Sequence, residues 1–338
     1  MTISYGKQSI DSQDIKRVIK SLKSNYLTQG PAVKEFEKKL SKNFKCKFST
    51  VLSNGSAALY LIGKILGWKA GDVIAVPPIT FISSVNSVEH CGAKPLFIDI
   101  NLNDYCMDPI KLEKELVRDK KKRIKAAVIT DFGGQPAQWE KFYALKKKYK
   151  IILINDNCHA MGSSIKLDKG YATKYADFAT LSFHPVKAIT TGEGGAILTN
   201  NKKMNEKATL LREHGIVRKN GRHWDYKVLN LGYNFRLPDL NCALGISQLR
   251  KLKKFVERRK KISAIYDHLF SDKEKFIIPK KIKDTVNSYH LYPILINLKK
   301  IKKTKEKIIK EFLKNKIKLQ VHYIPINTQP FYKKKYGL

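Results

Sequence analysis

Between residues 48 and 200, short apolar runs alternate with longer stretches whose apolar residues recur every three or four positions. The runs FSTVLS (48–53), VIAVPP (73–78), PLFIDI (95–100), IKAAVIT (124–130), IILIND (151–156) and FATLSF (178–183) read as strands. GAILTN (195–200) reads as one more, reversed in direction. Short runs rich in Ile and Val, without polar alternation, suit strands covered on both faces. Helical patterns lie at about 11–24 and 31–43, in AALYLIGKIL (57–66), and at about 80–91, 108–118 and 137–149. Strands alternating with helices of this length imply βαβ units and a largely parallel sheet, an α/β fold.

Past about residue 240 the pattern changes. A long charged helix is predicted over 238–270, then a strand-like SYHLYPILINL (288–298), a basic helix over 301–315 and a strand KLQVHY (318–323). The expected organisation is a large domain over 1–240 and a smaller α+β domain over 241–338. The length of 338 residues suits about two domains. With 43% apolar and 28% charged residues, the composition is globular and excludes a disordered tail, a collagen-like fibre or a small secreted knot. No apolar run approaches the ~20 residues of a membrane helix. The N-terminal MTISYGKQSIDSQD lacks a basic region followed by an apolar core, so no signal peptide is expected. The five cysteines, Cys46, Cys91, Cys106, Cys158 and Cys242, are odd in number, far apart and without C-x-x-C spacing. That argues against a disulfide framework or a zinc site and for a reducing, cytoplasmic compartment.

The charge is lopsided: Lys and Arg number 66 against 29 acidic residues, a net +37. Such a balance raises nucleic acid or an anionic membrane as a partner. Yet only 10 of the 66 are arginine, the residue that forks onto phosphate and guanine. The lysines are spread over predicted helix faces, as in ALKKKYK and INLKKIKKTKEKIIK. A solvated surface is therefore expected, with no specific nucleic-acid partner. Its positive field would draw in small anions such as nucleotide phosphates.

In doubly wound sheets ligands bind beyond the carboxyl ends of the strands. After the first strand, Asn54-Gly55-Ser56 opens a helix, and free N–H groups and the helix dipole there make a phosphate cradle. The plainer reading is a capped helix with a turn glycine. After IILIN come Asp156 and His159. A buried strand-end aspartate needs a cation or good hydrogen bonds, and a protonated pyridine nitrogen would serve. His159 could face the same ligand or be a structural histidine. After FATLS, Ser182 precedes Lys187, which stands apart from other charges between Pro185 and a glycine cluster. A lysine so isolated loses its proton more easily and can act as a nucleophile. No G-x-G-x-x-G follows any strand. A Schiff-base lysine, an acid for a pyridine nitrogen and a phosphate cup are together what pyridoxal phosphate requires.

At this point SFHPVKAITTGEGGAILTN (182–200) resembles the signature of the DegT/DnrJ/EryC1 sugar-nucleotide aminotransferases, which are fold type I pyridoxal phosphate enzymes. The resemblance runs along the whole chain, through TQGP (28–31), SNGSAAL (53–59), PPITFISSVNSV (77–88), DNCHA (156–160), LGYNFRLPDLNCALGISQL (231–249) and LQVHYIPI (319–326). The last two, with SYHLYPIL (288–295), are most similar to the pseudaminic acid branch. That branch implies amination of C4 of UDP-2-acetamido-2,6-dideoxy-β-L-arabino-hex-4-ulose, with L-glutamate as donor.

The resemblance also implies roles. Lys187 would carry the cofactor and shuttle the proton, and Asp156 would hold the pyridinium. His159 would lie near the phenolic oxygen, and Phe81 would stack on the ring. Gly55, Ser56 and Ser182 would hold the phosphate. Asn234 would reach in from a neighbouring subunit, implying a homodimer with shared sites. Tyr5, the turn Asn25-Tyr26-Leu27-Thr28, and Val321, His322 and Tyr323 would line the sugar-nucleotide pocket. Each has a plainer alternative: Phe81 as core, Asn234 and Arg236 as loop supports, Tyr5 as a loose terminus, His322 and Tyr323 as ordinary strand residues. Relatives that are dehydratases carry histidine in place of the lysine, so Lys187 favours transamination. Alternatives are another dTDP, UDP or GDP keto sugar, or a cofactor-free member binding polyanions. Family members continue beyond the equivalent of FYKKKYGL, so a shortened small domain, or one closed by a partner, is expected.

Overall fold

A computed structural model describes residues 2–219 and 222–337. Its centre is a seven-stranded sheet formed by β1 (Phe48–Leu52), β2 (Val73–Val76), β3 (Lys94–Phe97), β4 (Ile124–Thr130), β5 (Ile152–Asp156), β6 (Phe178–Ser182) and β7 (Gly195–Thr199), in the order β1-β7-β6-β5-β4-β2-β3. β7 pairs antiparallel with both β1 and β6, and the other neighbours pair in parallel. The reversed direction read from GAILTN is therefore present. Neighbouring residues of one strand serve opposite faces: Ala127 and Leu153 join one apolar cluster, Val128 and Ile154 the other. This is why apolar residues follow one another along the strands rather than alternating with exposed polar ones.

Helices α2 (Pro31–Asn43), α3 (Gly55–Leu66), α4 (Ser83–His90), α5 (Pro109–Arg118) and α6 (Trp139–Tyr149) flank the sheet, while α1 (Ser12–Leu22) packs on the long helix over 239–269, where its Asp14 meets Gln248 and Lys251. Their starts carry recognisable caps. Asp11 and Asp14 form a capping box at α1, Asn54 Oδ1 accepts from Ala57 N at 2.8 Å at α3, and Asp108 caps α5 ahead of Pro109. Phe36 and Leu40 of α2 and Phe142 of α6 fill one side of the sheet, while Leu59 and Ile62 of α3 and Val85 and Val88 of α4 fill the other.

The apolar pattern does not reveal every element. α7 (Lys202–Arg212) follows β7, capped by Asn201, and a hairpin of β8 (Ile216–Lys219) and β9 (Arg222–Val228) follows it. The long helix is present as α8 (Asp239–Leu269), and the basic helix is shorter, as α9 (Lys305–Lys314). The two strands predicted past α8 are corrected. Of 288–298 only Leu295–Ile296 is a strand, paired with Phe276–Ile277. Ser288 N and Leu291 N instead donate to the carbonyls of Gly134 and Gly133, at 3.2 and 3.1 Å. No part of 318–323 is a strand. Lys318 N donates to Ile3 O at 2.9 Å, and Ile326 N donates to Pro78 O at 3.0 Å. With its backbone bonds spent on these two loops, the segment runs past the carboxyl end of β2 and ends in α10 (Pro330–Tyr336).

The loop after β4 is organised by Asp131, which is fully buried. Its carboxylate accepts from Ala137 N (2.8 Å), Trp139 Nε1 (2.8 Å), Tyr171 OH (2.7 Å), Asn157 Nδ2 (2.9 Å) and Asn155 Nδ2 (3.1 Å). Burial pushes its carboxyl up to about 6 against those donors. Every partner is a donor, so an amide cannot replace the carboxylate. Asp131→Asn turns an NH2 towards other donors and should destabilise the protein by about 2–4 kcal/mol. Equilibrium urea unfolding measures this, and an unchanged midpoint would refute the hub.

Candidate active site

The parallel strands deliver their last residues to one edge of the sheet. Asp156 closes β5 and is 4% exposed. Its Oδ2 accepts from Ser84 Oγ at 2.7 Å, and its Oδ1 accepts from Cys158 N at 3.3 Å and Thr180 Oγ1 at 3.5 Å. All three donors are neutral. Among the described residues no Lys, Arg or His nitrogen pairs with this carboxylate. A buried carboxylate left so is a strong site for a cation delivered from outside the chain.

Lys187 lies in the turn after β6, its backbone N–H donating to His184 O at 2.8 Å. It is half-buried. Burial pulls its ammonium below the ordinary lysine value, while Cys158 and Asp156 nearby pull the other way. The isolation read from the sequence is thus matched by an amine that releases its proton more readily. The Cys158 thiol is driven well up by burial and by Asp156, which keeps it protonated and unreactive.

His159 is buried and faces Lys187 electrostatically. Gly133 N donates to its Nδ1 at 3.4 Å, which leaves the ring proton on Nε2, 3.3 Å from the Tyr323 hydroxyl. Burial, Lys187 and His322 hold the imidazole well below its ordinary value, so it is neutral. Phe81 is 52% exposed and therefore not core. Its ring stands 6.3 Å from that of Tyr323, and Tyr5 stands 5.6 Å from His322. Gly6 approaches Val186 so closely that a Cβ there would lie 3.2 Å from Val186 Cβ. The N-terminal segment thus overlies the lysine turn.

The phosphate side is built from missing side chains. A Cβ on Gly55 would lie 3.1 Å from Ser182 Cβ and 3.3 Å from Cys158 Sγ. A Cβ on Gly195 of β7 would lie 2.4 Å from the Asn54 carbonyl carbon and 2.6 Å from Gly55 N. The first turn of α3 therefore sits hard against the sheet beside Ser182. Ser56 Oγ and Ser83 Oγ are 2.5 Å apart, bringing the starts of α3 and α4 together. Free helix N–H groups, three serine hydroxyls and two glycines fit an anionic phosphate. With Asp156 and Lys187 alongside, the residues present fit pyridoxal phosphate.

The structure thus gathers Gly55, Ser56, Phe81, Asp156, His159, Ser182, Lys187, His322 and Tyr323, with Tyr5 at the rim. Val321, Phe81 and Tyr323 border a neighbouring cavity of about 910 Å³. Asn25, Tyr26, Leu27 and Thr28 form an exposed turn tied to α8, where Asp239 N donates to Leu27 O at 2.9 Å. Asn234 is exposed and bridges to Glu213, with no bond to this cluster among the described residues. Three groups escaped the sequence. His290 lies 4.4 Å from His159, ring to ring. Arg259 of α8 donates to the carbonyls of Tyr289, His290 and Lys187. Ser84 binds Asp156. His290 and Ser84 stand inside SYHLYPIL and PPITFISSVNSV, but only the fold reveals what they touch.

A profile of the DegT/DnrJ/EryC1/StrS aminotransferase family matches residues 8–338. The UDP-4-amino-4,6-dideoxy-N-acetyl-beta-L-altrosamine transaminase of Campylobacter jejuni subsp. jejuni serotype O:23/36 (strain 81-176) is 43% identical over 336 residues, 99% of this chain and 87% of the relative. The structure of Helicobacter pylori PseC, an aminotransferase involved in the biosynthesis of pseudoaminic acid, superposes with a TM-score of 0.93 at 32% identity, covering 100% of this chain and 89% of that one. The PLP-form of the putative sugar aminotransferase Spr1654 from Streptococcus pneumoniae gives a TM-score of 0.89 at 27% identity, over 99% and 88% of the two chains.

Adding a methyl at Gly195 should push the first turn of α3 out of place while leaving the sheet. Gly195→Ala is expected to preserve the far-ultraviolet circular dichroism and to weaken pyridoxal phosphate binding roughly 5- to 150-fold, the range of an overpacking cost of about 1–3 kcal/mol. An unchanged dissociation constant would show that the glycine contact does not shape the cradle.

Proposed function

The chain belongs to the DegT/DnrJ/EryC1/StrS aminotransferase family, and on that premise we propose that it moves the amino group of L-glutamate to C4 of a UDP-linked 4-keto-6-deoxy sugar, UDP-2-acetamido-2,6-dideoxy-β-L-arabino-hex-4-ulose. It is an aminotransferase that uses pyridoxal phosphate. The sugar follows from its 43% identity to the Campylobacter enzyme named above and its likeness to PseC. The observation that carries the reading is the pairing of a buried, cation-free Asp156 with a half-buried, readily deprotonated Lys187 at the same sheet edge.

When bound, pyridoxal phosphate supplies an electron sink that lets a proton move at the carbon bearing the transferred nitrogen. The chain's own residues do the rest. Asp156 would hold the cationic ring nitrogen through a carboxylate that no Lys, Arg or His among the described residues pairs with. The α3 start with Gly55, Ser56 and Ser182 anchors the phosphate, and Phe81 covers one face of the ring. His159, neutral and with its proton on Nε2, donates rather than repels. Lys187 Nζ takes the proton from the carbon that gives up nitrogen and returns one to the carbon that receives it. In balance, L-glutamate leaves as 2-oxoglutarate while the C4 ketone becomes a C4 amine. Tyr5, Asn25–Thr28 and Val321–Tyr323 line the sugar-nucleotide path in this reading.

The same reading makes the protein a homodimer with Asn234 supplied to the partner's site. Asn234 is exposed at the root of a hairpin segment whose Tyr226, Val228, Leu229 and Leu231 are also exposed. Apolar side chains displayed together in this way suit a second copy better than water. We place the enzyme in the cytoplasm. Its five cysteines are all free, and no helix among the described residues is long and apolar enough to cross a membrane.

Five measurements test this. The protein should absorb near the visible edge and bleach on adding L-glutamate. In a separate sample to which no glutamate is added, borohydride reduction followed by peptide mapping should place the cofactor on Lys187, and an unmodified Lys187 peptide would overturn the assignment. Lys187→Ala should lower turnover by roughly 10³-fold or more. With ¹⁵N-glutamate, NMR should find the label at C4 of the sugar, and a label elsewhere would exclude the proposed substrate. Finally, Lys187→Ala and Asn234→Ala proteins, each impaired alone, should regain about a quarter of full activity when mixed and allowed to exchange subunits, because each mixed dimer holds one intact site. No recovery would mean that Asn234 acts within its own chain.

A further inference from the structure

We propose that Ser84 is a positioning residue for Asp156, the last member of a directed hydroxyl chain that holds this carboxylate as an unpaired anion for the cofactor's ring nitrogen. The proposal rests on the pyridoxal phosphate reading above. Four residues from three separate loops meet here. Thr130 ends β4, Thr80 follows β2, Ser84 lies in the first turn of α4 and Asp156 ends β5. Thr130 Oγ1 and Thr80 Oγ1 are 2.7 Å apart, Thr80 Oγ1 and Ser84 Oγ 3.3 Å, and Ser84 Oγ and Asp156 Oδ2 2.7 Å. Thr80, Ser84 and Thr130 are all buried, Ser84 completely.

The direction of the chain follows from its end. An ionised carboxylate has no proton to offer, so the Ser84 hydroxyl donates to Asp156. The Ser84 oxygen is then free to accept from Thr80, and Thr80 from Thr130. Each bond polarises the next, which strengthens the last one. The chemistry of the donors matters as much as their number. A lysine or arginine in place of Ser84 would also hold Asp156, but it would cancel the charge and compete with the incoming cation. Hydroxyls stabilise the anion and leave its full negative charge in place. Ser84 is fully buried in the first turn of α4, and its hydroxyl is aimed at that oxygen.

The test compares two ligands on the full-length apoprotein: pyridoxal phosphate, and its 1-deaza analogue in which C–H replaces the ring nitrogen. Dissociation constants are read by absorbance titration for wild type, Ser84→Ala, Ser84→Thr and Thr80→Val. Ser84→Ala should weaken pyridoxal phosphate roughly 10- to 100-fold, the loss of one charge-assisted hydrogen bond, and leave the deaza analogue unchanged. Ser84→Thr, which keeps the hydroxyl, should restore most of the affinity. Thr80→Val, one step further from the carboxylate, should give a smaller loss of the same sign, again only for the ligand with a ring nitrogen. It supplies the answer by itself if Ser84→Ala does not fold. Equal losses for both ligands, or no loss for either, would overturn the proposal, since a packing role does not distinguish nitrogen from carbon. Wild-type protein that binds neither ligand would overturn the cofactor reading itself, and this proposal with it.

Discussion

A carboxylate buried at the end of a parallel strand, bonded only to neutral donors, is the constraint around which this molecule is arranged. Asp156 cannot be moved to the surface without breaking the register of β5 with β4 and β6. It cannot be matched by an internal cation without losing the charge that a ligand would need. The chain therefore surrounds it with Ser84, Thr180 and a backbone N–H, and keeps Lys187 near enough to feel it but not paired with it. Asp131, one strand over, offers the contrast. It too is buried and held by neutral donors, but five of them saturate it, and it serves the loop rather than a ligand. Two carboxylates, equally hidden, are separated in role by how much of their bonding capacity the protein leaves open.

The central sheet was legible because its physics is local. Strands covered on both faces are apolar on both, and that signal survives in a single sequence, down to the reversed β7. The strand ends were legible for a related reason: Asp156, Ser182 and Lys187 break apolar surroundings and so announce themselves. Past α8 the signal fails. KLQVHY alternates as a strand should, but Lys318 N bonds to the Ile3 carbonyl and the segment joins no strand. The loop residues 133–134 capture Ser288 and Leu291 in the same way. α7 is charged and buries only Ala208, Leu211 and Arg212, so its periodicity is faint against a background of lysine.

The residues that sequence reasoning missed share one property. Ser84, His290 and Arg259 act on groups far away in the chain: Ser84 on Asp156, His290 beside His159, Arg259 on the carbonyl of Lys187. A serine in a helix start or an arginine in a charged helix carries no local mark of such a task. The opposite holds for Asn25–Thr28 and Asn234, which the resemblance singled out and which this one chain leaves at its surface.

Helix α8 links these places mechanically. At its first residue the Asp239 carboxylate accepts from Gly30 N (2.7 Å) and Ala32 N (3.0 Å), fastening the turn that ends at Thr28 to the start of α2. Twenty residues further on, Arg259 grips the Tyr289, His290 and Lys187 carbonyls. At about 1.5 Å per residue these two grips are roughly 30 Å apart on one rod. A tilt of about 3° at the Asp239 end would swing Arg259 through roughly 1.6 Å, enough to part its 3.1 Å bond to His290. The rod thus behaves as a ruler held at both ends, fixing the span between the rim and the amine for any molecule that must touch both.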